Sequence, residues 1–324
     1  MSITTTTETQ PAAIHDPLVM EPQDADHVQR SNAGEDPLTL VPPNAPPHPN
    51  ESTHKTPLEL ISQGTPLPGI PHFPTFSAHR SWMLRHMALA FRVFARKGYT
   101  EGMAGHISVR DPEWPHTFWT NPLGRHFGLL KASDMVLVDY AGKAVGGNMS
   151  RPANAAGFMI HSAVHKARPD VVAACHTHSP AGKAWSAFGR RLEMINQDVT
   201  YFYGEAQAVY EECGGIVLDK EEGEKIARAL GGKGKGVILR NHGLLTVGTG
   251  SVDEAAYLFT LMERSCEVQL MVEAAVKEGS LEKVYVPEES AKYTFDAASD
   301  PDALYAEFQP DVEYELAMGA DVEW

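Results

Sequence analysis

The chain is poor in cysteine, with three in 324 residues, at positions 175, 213 and 266. Their odd number and wide spacing provide no disulfide framework and point to a reducing compartment. Positive charge is also short: 27 Lys and Arg stand against 42 Asp and Glu, a formal net charge of -15. Nucleic acid and anionic membrane surfaces repel such a chain, so neither is an expected partner. No apolar run approaches the ~20 residues that cross a bilayer. The first residues are acidic and lack the basic and apolar regions of a secretory signal, which makes the cytoplasm the expected location. A Walker-type loop is missing, and no Gly-x-Gly-x-x-Gly follows a strand. Gly231-Gly232-Lys233-Gly234-Lys235-Gly236 is glycine-rich, but it follows a helix and precedes a strand, the reverse of a phosphate cradle.

What is present divides into three stretches. Residues 1–75 hold most of the prolines, a Thr4–Thr7 run and few large apolar side chains, so a largely disordered arm is expected. Ile70, Phe73 and Phe76 at its end are expected to pack on the domain. Residues 76–286 carry the folded domain and 287–324 an acidic tail with scattered aromatics, suited to wrapping a neighbouring subunit or to staying mobile. Within the domain, Leu84, Met87, Phe91 and Phe94 fall at helical spacing and predict a helix over 78–97. Strands are predicted at Ile107–Arg110, Thr117–Thr120 and Met135–Asp139, and helices at Asn154–Ala167, Lys220–Leu230 and from a Ser251–Glu254 capping box to Lys277. Short strands mixed with helices, without regular alternation, favour an α/β/α sandwich over a doubly wound sheet.

The densest chemistry lies in Cys175-His176-Thr177-His178-Ser179, at the end of the apolar run Val171–Cys175. Residues i and i+2 of a strand share a face, so His176 and His178 can address one point, with Cys175 on the opposite face. His242 follows a second apolar strand, Val237-Ile238-Leu239, and precedes Gly243. A single histidine on an apolar face is usually a satisfied core residue. Three converging on one point, with a fourth position open, form what a catalytic divalent metal requires, zinc first, with Mn, Co or Fe as alternatives.

Several ordered motifs resemble the class II aldolase/adducin family across about residues 78–280. They are Gly105-His106-Ile107-Ser108-Val109-Arg110, Asn121-Pro122-Leu123-Gly124, Asp134 to Asp139, Arg168-Pro169-Asp170 with His176 and His178, and Asn241-His242-Gly243. The resemblance implies a three-layer α/β/α sandwich with a mostly antiparallel central sheet, often assembled as a homotetramer. It also implies a metal held at His176, His178 and His242 that polarises a carbonyl of a small-molecule substrate.

The chain departs from the family where the aldolases carry Ser-Ser-Glu. Aligned on His161 and Arg168-Pro169-Asp170, those places hold Ala155, Ala156 and Gly157. The phosphate-binding hydroxyls and the proton-transferring acid are therefore absent together. His106 stands where the family has Asn, and Leu123 replaces the hydroxyl residue before Gly124. Asp198 and Glu205 are the candidate acid/base groups, against ordinary roles as a helix cap and a solvated turn. His106, Gly124 and His161 are candidate substrate contacts; His165 lies one helical turn beyond His161. A metal-dependent lyase, aldolase-like or a decarboxylase, acting on an unphosphorylated oxygenated substrate is expected. The alternatives are an Fe(II)-dependent oxygenase of the same superfamily and a non-catalytic adducin-like binding module.

Overall fold

The computed structural model describes residues 55–212, 215–277, 279 and 281–323. Of the arm expected to be disordered over residues 1–75, residues 1–54 lie outside the described residues, as do Cys213 and Trp324, whereas residues 55–75 are described and include a short capped helix. In chain order the elements are α1 (Pro57–Ile61), α2 (Phe76–Arg96), β1 (His106–Arg110), β2 (Thr117–Thr120), β3 (Val136–Asp139) and β4 (Ala144–Gly147). Then come α3 (Ala155–Ala167), β5 (Ala173–Thr177), α4 (Pro180–Ser186), β6 (Gln207–Tyr210), α5 (Lys220–Leu230), β7 (Gly236–Leu239) and β8 (Gly243–Gly248). Three helices follow: α6 (Val252–Lys277), α7 (Glu288–Ala298) and α8 (Pro301–Ala317).

The strands form one sheet in the order β4-β3-β2-β1-β5-β8-β7-β6. Every neighbouring pair is antiparallel except β6–β7. Helices cover both faces, giving an α/β/α sandwich with a mostly antiparallel centre. Strand alternation divides the core between the faces. Ile107, Val109, Ala173, Cys175, Ile238 and Leu244 join α2, α6 and α8 in the larger cluster. Ala174, Val237, Leu239, Leu245 and Val247 pack under α3 and α5. Cys175 therefore points away from the α3 side, as the strand period implies.

Local chemistry explains the principal boundaries. Thr75 caps α2 by accepting from the Ala78 amide at 3.1 Å, and Asn154 caps α3 by accepting from Gly157 at 2.9 Å. The capping box expected at the start of α6 is only half made. Ser251 accepts from the Glu254 amide at 3.1 Å, but the Glu254 carboxylate instead accepts from Thr249 and Gly250 at 2.7 and 2.8 Å, closing the preceding turn.

Two expectations at the margins change. The acidic segment from 287 is neither loose nor appended: Leu304, Phe308, Val312 and Val322 are buried in the larger core cluster. Within this segment, α8 packs on α2 and α6, most of its acidic residues face outward, and Glu315 is buried against Arg96 of α2 at 2.5 Å. At the other margin, the Ile70 amide donates to Asp302 at 2.8 Å and the Phe73 ring stacks on His79 at 5.0 Å. Phe76 does not pack with them; it is 55% exposed. No helix among the described residues is long and apolar enough to cross a membrane.

Candidate metal centre

Strand register gathers the histidines. Between β1 and β5, His106 lies opposite His176; between β5 and β8, His176 lies opposite Leu245. The end of β5 and the start of β8 thus run side by side, bringing His242 beside His178. The β7–β8 connection is a tight turn closed by the His242 amide donating to the Leu239 carbonyl at 3.0 Å. Asn241 sits in it at φ 59°, a left-handed conformation that Asn tolerates better than most residues.

The nearest ligand atoms of His176, His178 and His242 all lie within 4.8 Å of one another, and the Nε2 atoms of His178 and His242 are 3.0 Å apart. Imidazole nitrogens bound tetrahedrally about 2.0–2.1 Å from one ion stand about 3.3 Å apart, so the set fits a divalent metal after a modest rearrangement of the rings. Nδ1 of His176 lies 2.7 Å from the Leu244 carbonyl oxygen. A carbonyl only accepts, so Nδ1 carries the proton and Nε2 is left free to coordinate. Burial, reinforced by the neighbouring histidines, lowers the pKa of His176 far below its ordinary value and that of His242 to about 4. Burial also lowers His178, with the Lys183 ammonium adding to it. Neutral imidazoles are the form a metal takes.

The chain after His178 is held from α6. The Ser179 hydroxyl donates to Glu263 at 2.5 Å, and the Ala181 and Gly182 amides donate to the same carboxylate at 2.7 Å each. Burial raises the Glu263 pKa while these three donors oppose the rise. Sequence reasoning missed this anchor, because Glu263 is remote in sequence and lies in an otherwise ordinary helix.

The three histidines open on a cavity of about 580 Å³. Its wall is largely apolar, with Met103, Leu123, Ala155, Ala156, Ile160 and Ile216, and its polar groups are His106, Asn154, Asn241 and the cluster itself. No Lys or Arg is among these lining residues. Among the other expected site residues, His106 lines the cavity and His161 lies beneath it, 1% exposed, with 2.6 Å between His106 Nδ1 and His161 Nε2. Gly124 stands outside the wall, its carbonyl accepting from Arg151 at 3.2 Å. Asp198 and Glu205 are not brought to the cavity: both are exposed, and Glu205 pairs with Lys233 at 2.7 Å.

Gly157 leaves room for the His106 ring. A Cβ on this residue would lie 2.5 Å from Cδ2 and 2.7 Å from Cγ of His106. The His106 ring thus covers the helix face from which an acidic side chain would otherwise project. Below it, Ser108 Oγ lies 2.5 Å from His161 Nδ1 and 2.8 Å from His165 Nε2. Ser108 belongs to the Gly105–Arg110 motif, but no role for it was evident from the sequence. Its signal was the alternation His106-Ile107-Ser108-Val109-Arg110, a polar strand face that the fold buries under α3 instead of exposing.

Residues 85–270 match the family model for the class II aldolase and adducin N-terminal domain, and the chain belongs to that family. Two Streptomyces proteins are each 39% identical to it over 254 residues, 78% of this chain. One, from Streptomyces roseochromogenus subsp. oscitans, is named 4-hydroxy-3-prenylphenylpyruvate oxygenase/4-hydroxy-3-prenylbenzoate synthase, and the match covers 88% of it. The other, from Streptomyces niveus, is named decarboxylase NovR, with 90% covered. Among solved structures, L-fuculose 1-phosphate aldolase from Glaciozyma antarctica PI12 superposes with a TM-score of 0.71 at 40% identity, over 79% of this chain and 97% of that one.

Proposed function

We propose that this chain is a metal-dependent lyase that breaks a carbon–carbon bond in a small, oxygenated, unphosphorylated molecule. The observation that carries this reading is the neutral three-imidazole cluster facing an apolar cavity whose lining holds no cation. His176, His178 and His242 would hold the metal, zinc first, with Mn, Co or Fe as alternatives. When bound, the metal supplies Lewis-acid polarisation of a substrate oxygen. The chain's own groups keep the imidazoles neutral and aimed. Ala155 and Ala156 offer no hydroxyl to a phosphate, which weighs against a sugar phosphate. The Streptomyces relative named as a decarboxylase supports bond cleavage next to a carboxylate.

The relative named as an oxygenase favours a second reading, an Fe(II) oxygenase on the same ligands. An adducin-like binding module without catalysis is the third. For Asp198 and Glu205 to act as acid and base, a neighbouring subunit would have to carry them to the cavity. Met103, Ile216 and Leu218, 64%, 74% and 63% exposed, form apolar surface suited to covering in a cytoplasmic homo-oligomer. The test is a screen of small hydroxy and keto acids with protein loaded anaerobically with zinc or iron. Turnover without oxygen, lost in His176→Ala, supports the lyase. Oxygen consumption with iron alone moves the assignment to the oxygenase, and no turnover with either metal leaves the binding module.

A further inference from the structure

The buried polar groups beneath the cavity form a chain whose direction can be worked out from the donors around it. It starts at Arg110, whose guanidinium has five N–H donors. Nε reaches the Val171 carbonyl at 3.2 Å; Nη1 reaches the Pro115 carbonyl at 2.9 Å and the Tyr140 hydroxyl at 2.6 Å. Nη2 reaches the His165 and Arg168 carbonyls at 2.8 and 3.2 Å. All five hydrogens have acceptors, so none remains for His165 Nδ1, 3.5 Å from Nη2. His165 Nδ1 also faces the Val171 carbonyl oxygen at 3.3 Å, which can only accept, so it carries the proton and donates there.

Each later bond then has one orientation. His165 Nε2 has a lone pair and accepts from the Ser108 hydroxyl at 2.8 Å. Ser108 Oγ, its hydrogen engaged, accepts from His161 Nδ1 at 2.5 Å. His161 Nε2 accepts from His106 Nδ1 at 2.6 Å. Nε2 of His106 is left as a lone-pair acceptor, and His106 is a cavity-lining residue whose ring centroid is 4.9 Å from that of His176. Burial holds His165 neutral, lowered to about 3, with the Arg110 charge adding to the effect, as the orientation at the head of the chain requires. The ring occupies the space that Gly157 leaves open.

We propose that His165, Ser108 and His161 are positioning residues that fix His106 as a hydrogen-bond acceptor beside the metal cluster, and that this acceptor selects substrates carrying a hydroxyl next to the oxygen group held there. The proposal rests on the metal-site reading for the selection, and on the hydrogen-bond chain alone for the direction. It narrows the substrate class to hydroxy acids and enols over their deoxy counterparts.

Neutron diffraction from deuterated full-length protein at neutral pH tests the direction directly. Deuterons are expected on Nδ1 of His165, His161 and His106, with the Ser108 deuteron aimed at His165. A deuteron on Nε2 of His106 would overturn the proposal. Calorimetric binding of lactate and propionate to zinc-loaded protein tests the selection. One neutral hydrogen bond favours lactate by about fivefold beyond whatever the metal contributes. That increment is expected to disappear in His106→Phe and in Ser108→Ala, two variants that perturb packing in opposite senses. A lactate preference unchanged in both overturns the selection. A chain that takes up no zinc overturns the metal reading instead, and the neutron result still decides the direction.

Discussion

Replacing Gly157 by alanine probes the link between the absent acid and the histidine that fills its space. In an accessible helix, Gly→Ala stabilises by up to about 1 kcal/mol, because glycine loses more backbone freedom on folding. Here the new Cβ would stand 2.5, 2.7 and 2.9 Å from Cδ2, Cγ and Nε2 of His106. That ring is 4% exposed and bonded to His161, so it cannot swing aside cheaply. Overpacking of this kind costs about 1–3 kcal/mol, so a net loss of about 1 kcal/mol is expected for Gly157→Ala. In a His106→Ala background the obstruction is gone, and the same substitution should stabilise by about 1 kcal/mol. The resulting coupling of about 2 kcal/mol lies within the range for residues in contact. Urea denaturation of the four proteins measures it. Stabilisation by Gly157→Ala in the wild-type background, with no coupling to residue 106, would refute the reasoning.

Three further outcomes are expected. Arg168 donates to the Gly231 and Gly234 carbonyls at 2.8 and 3.2 Å and pairs with Asp170, tying the entry of β5 to the α5–β7 connection. Arg168→Ala should cost about 3 kcal/mol in thermal or urea unfolding, because buried acceptors lose a charged donor. Glu263→Gln keeps the shape but can satisfy at most part of a three-donor set, and should cost about 1–2 kcal/mol while weakening zinc affinity measured by competition with a chelator. The folded pKa of His165, at about 3, lies below its unfolded value near 6.5, so the unfolded chain binds the extra proton. Its contribution to stability is therefore complete above about pH 6.5 and is lost as pH falls toward 3, at up to about 1.4 kcal/mol per pH unit. A metal-free preparation whose stability stays flat between pH 6.5 and 4.5 would contradict that burial.

The ligand set was legible because its signals are local. A strand period of two puts His176 and His178 on one face, and the apolar run before His242 marks the end of a second strand. Helices α2, α3, α5 and α6 were legible from caps and spacing to within two residues at each end. Register was not legible. That His106 faces His176 depends on the pairing of strands about 70 residues apart, which no local pattern encodes. Ser108 and His165 became part of the site only when α3 settled over the polar face of β1. The strands β4, β6 and β8 went unrecognised because four to six residues with glycine or mixed polarity give little periodic signal. In α8, Leu304, Phe308 and Val312 recur at helical spacing, but acidic composition and Pro310 in mid-helix made the segment resemble a tail.

The central claim is that three histidines form a metal site, and metal stoichiometry tests it most directly. Elemental mass spectrometry of the full-length protein, purified without added metal or chelator, is expected to find about one divalent ion per chain. The His176→Ala/His178→Ala variant, checked for folding by circular dichroism, is expected to contain none. A folded wild-type chain that carries no metal and takes none up at micromolar zinc, manganese, cobalt or iron would contradict the account.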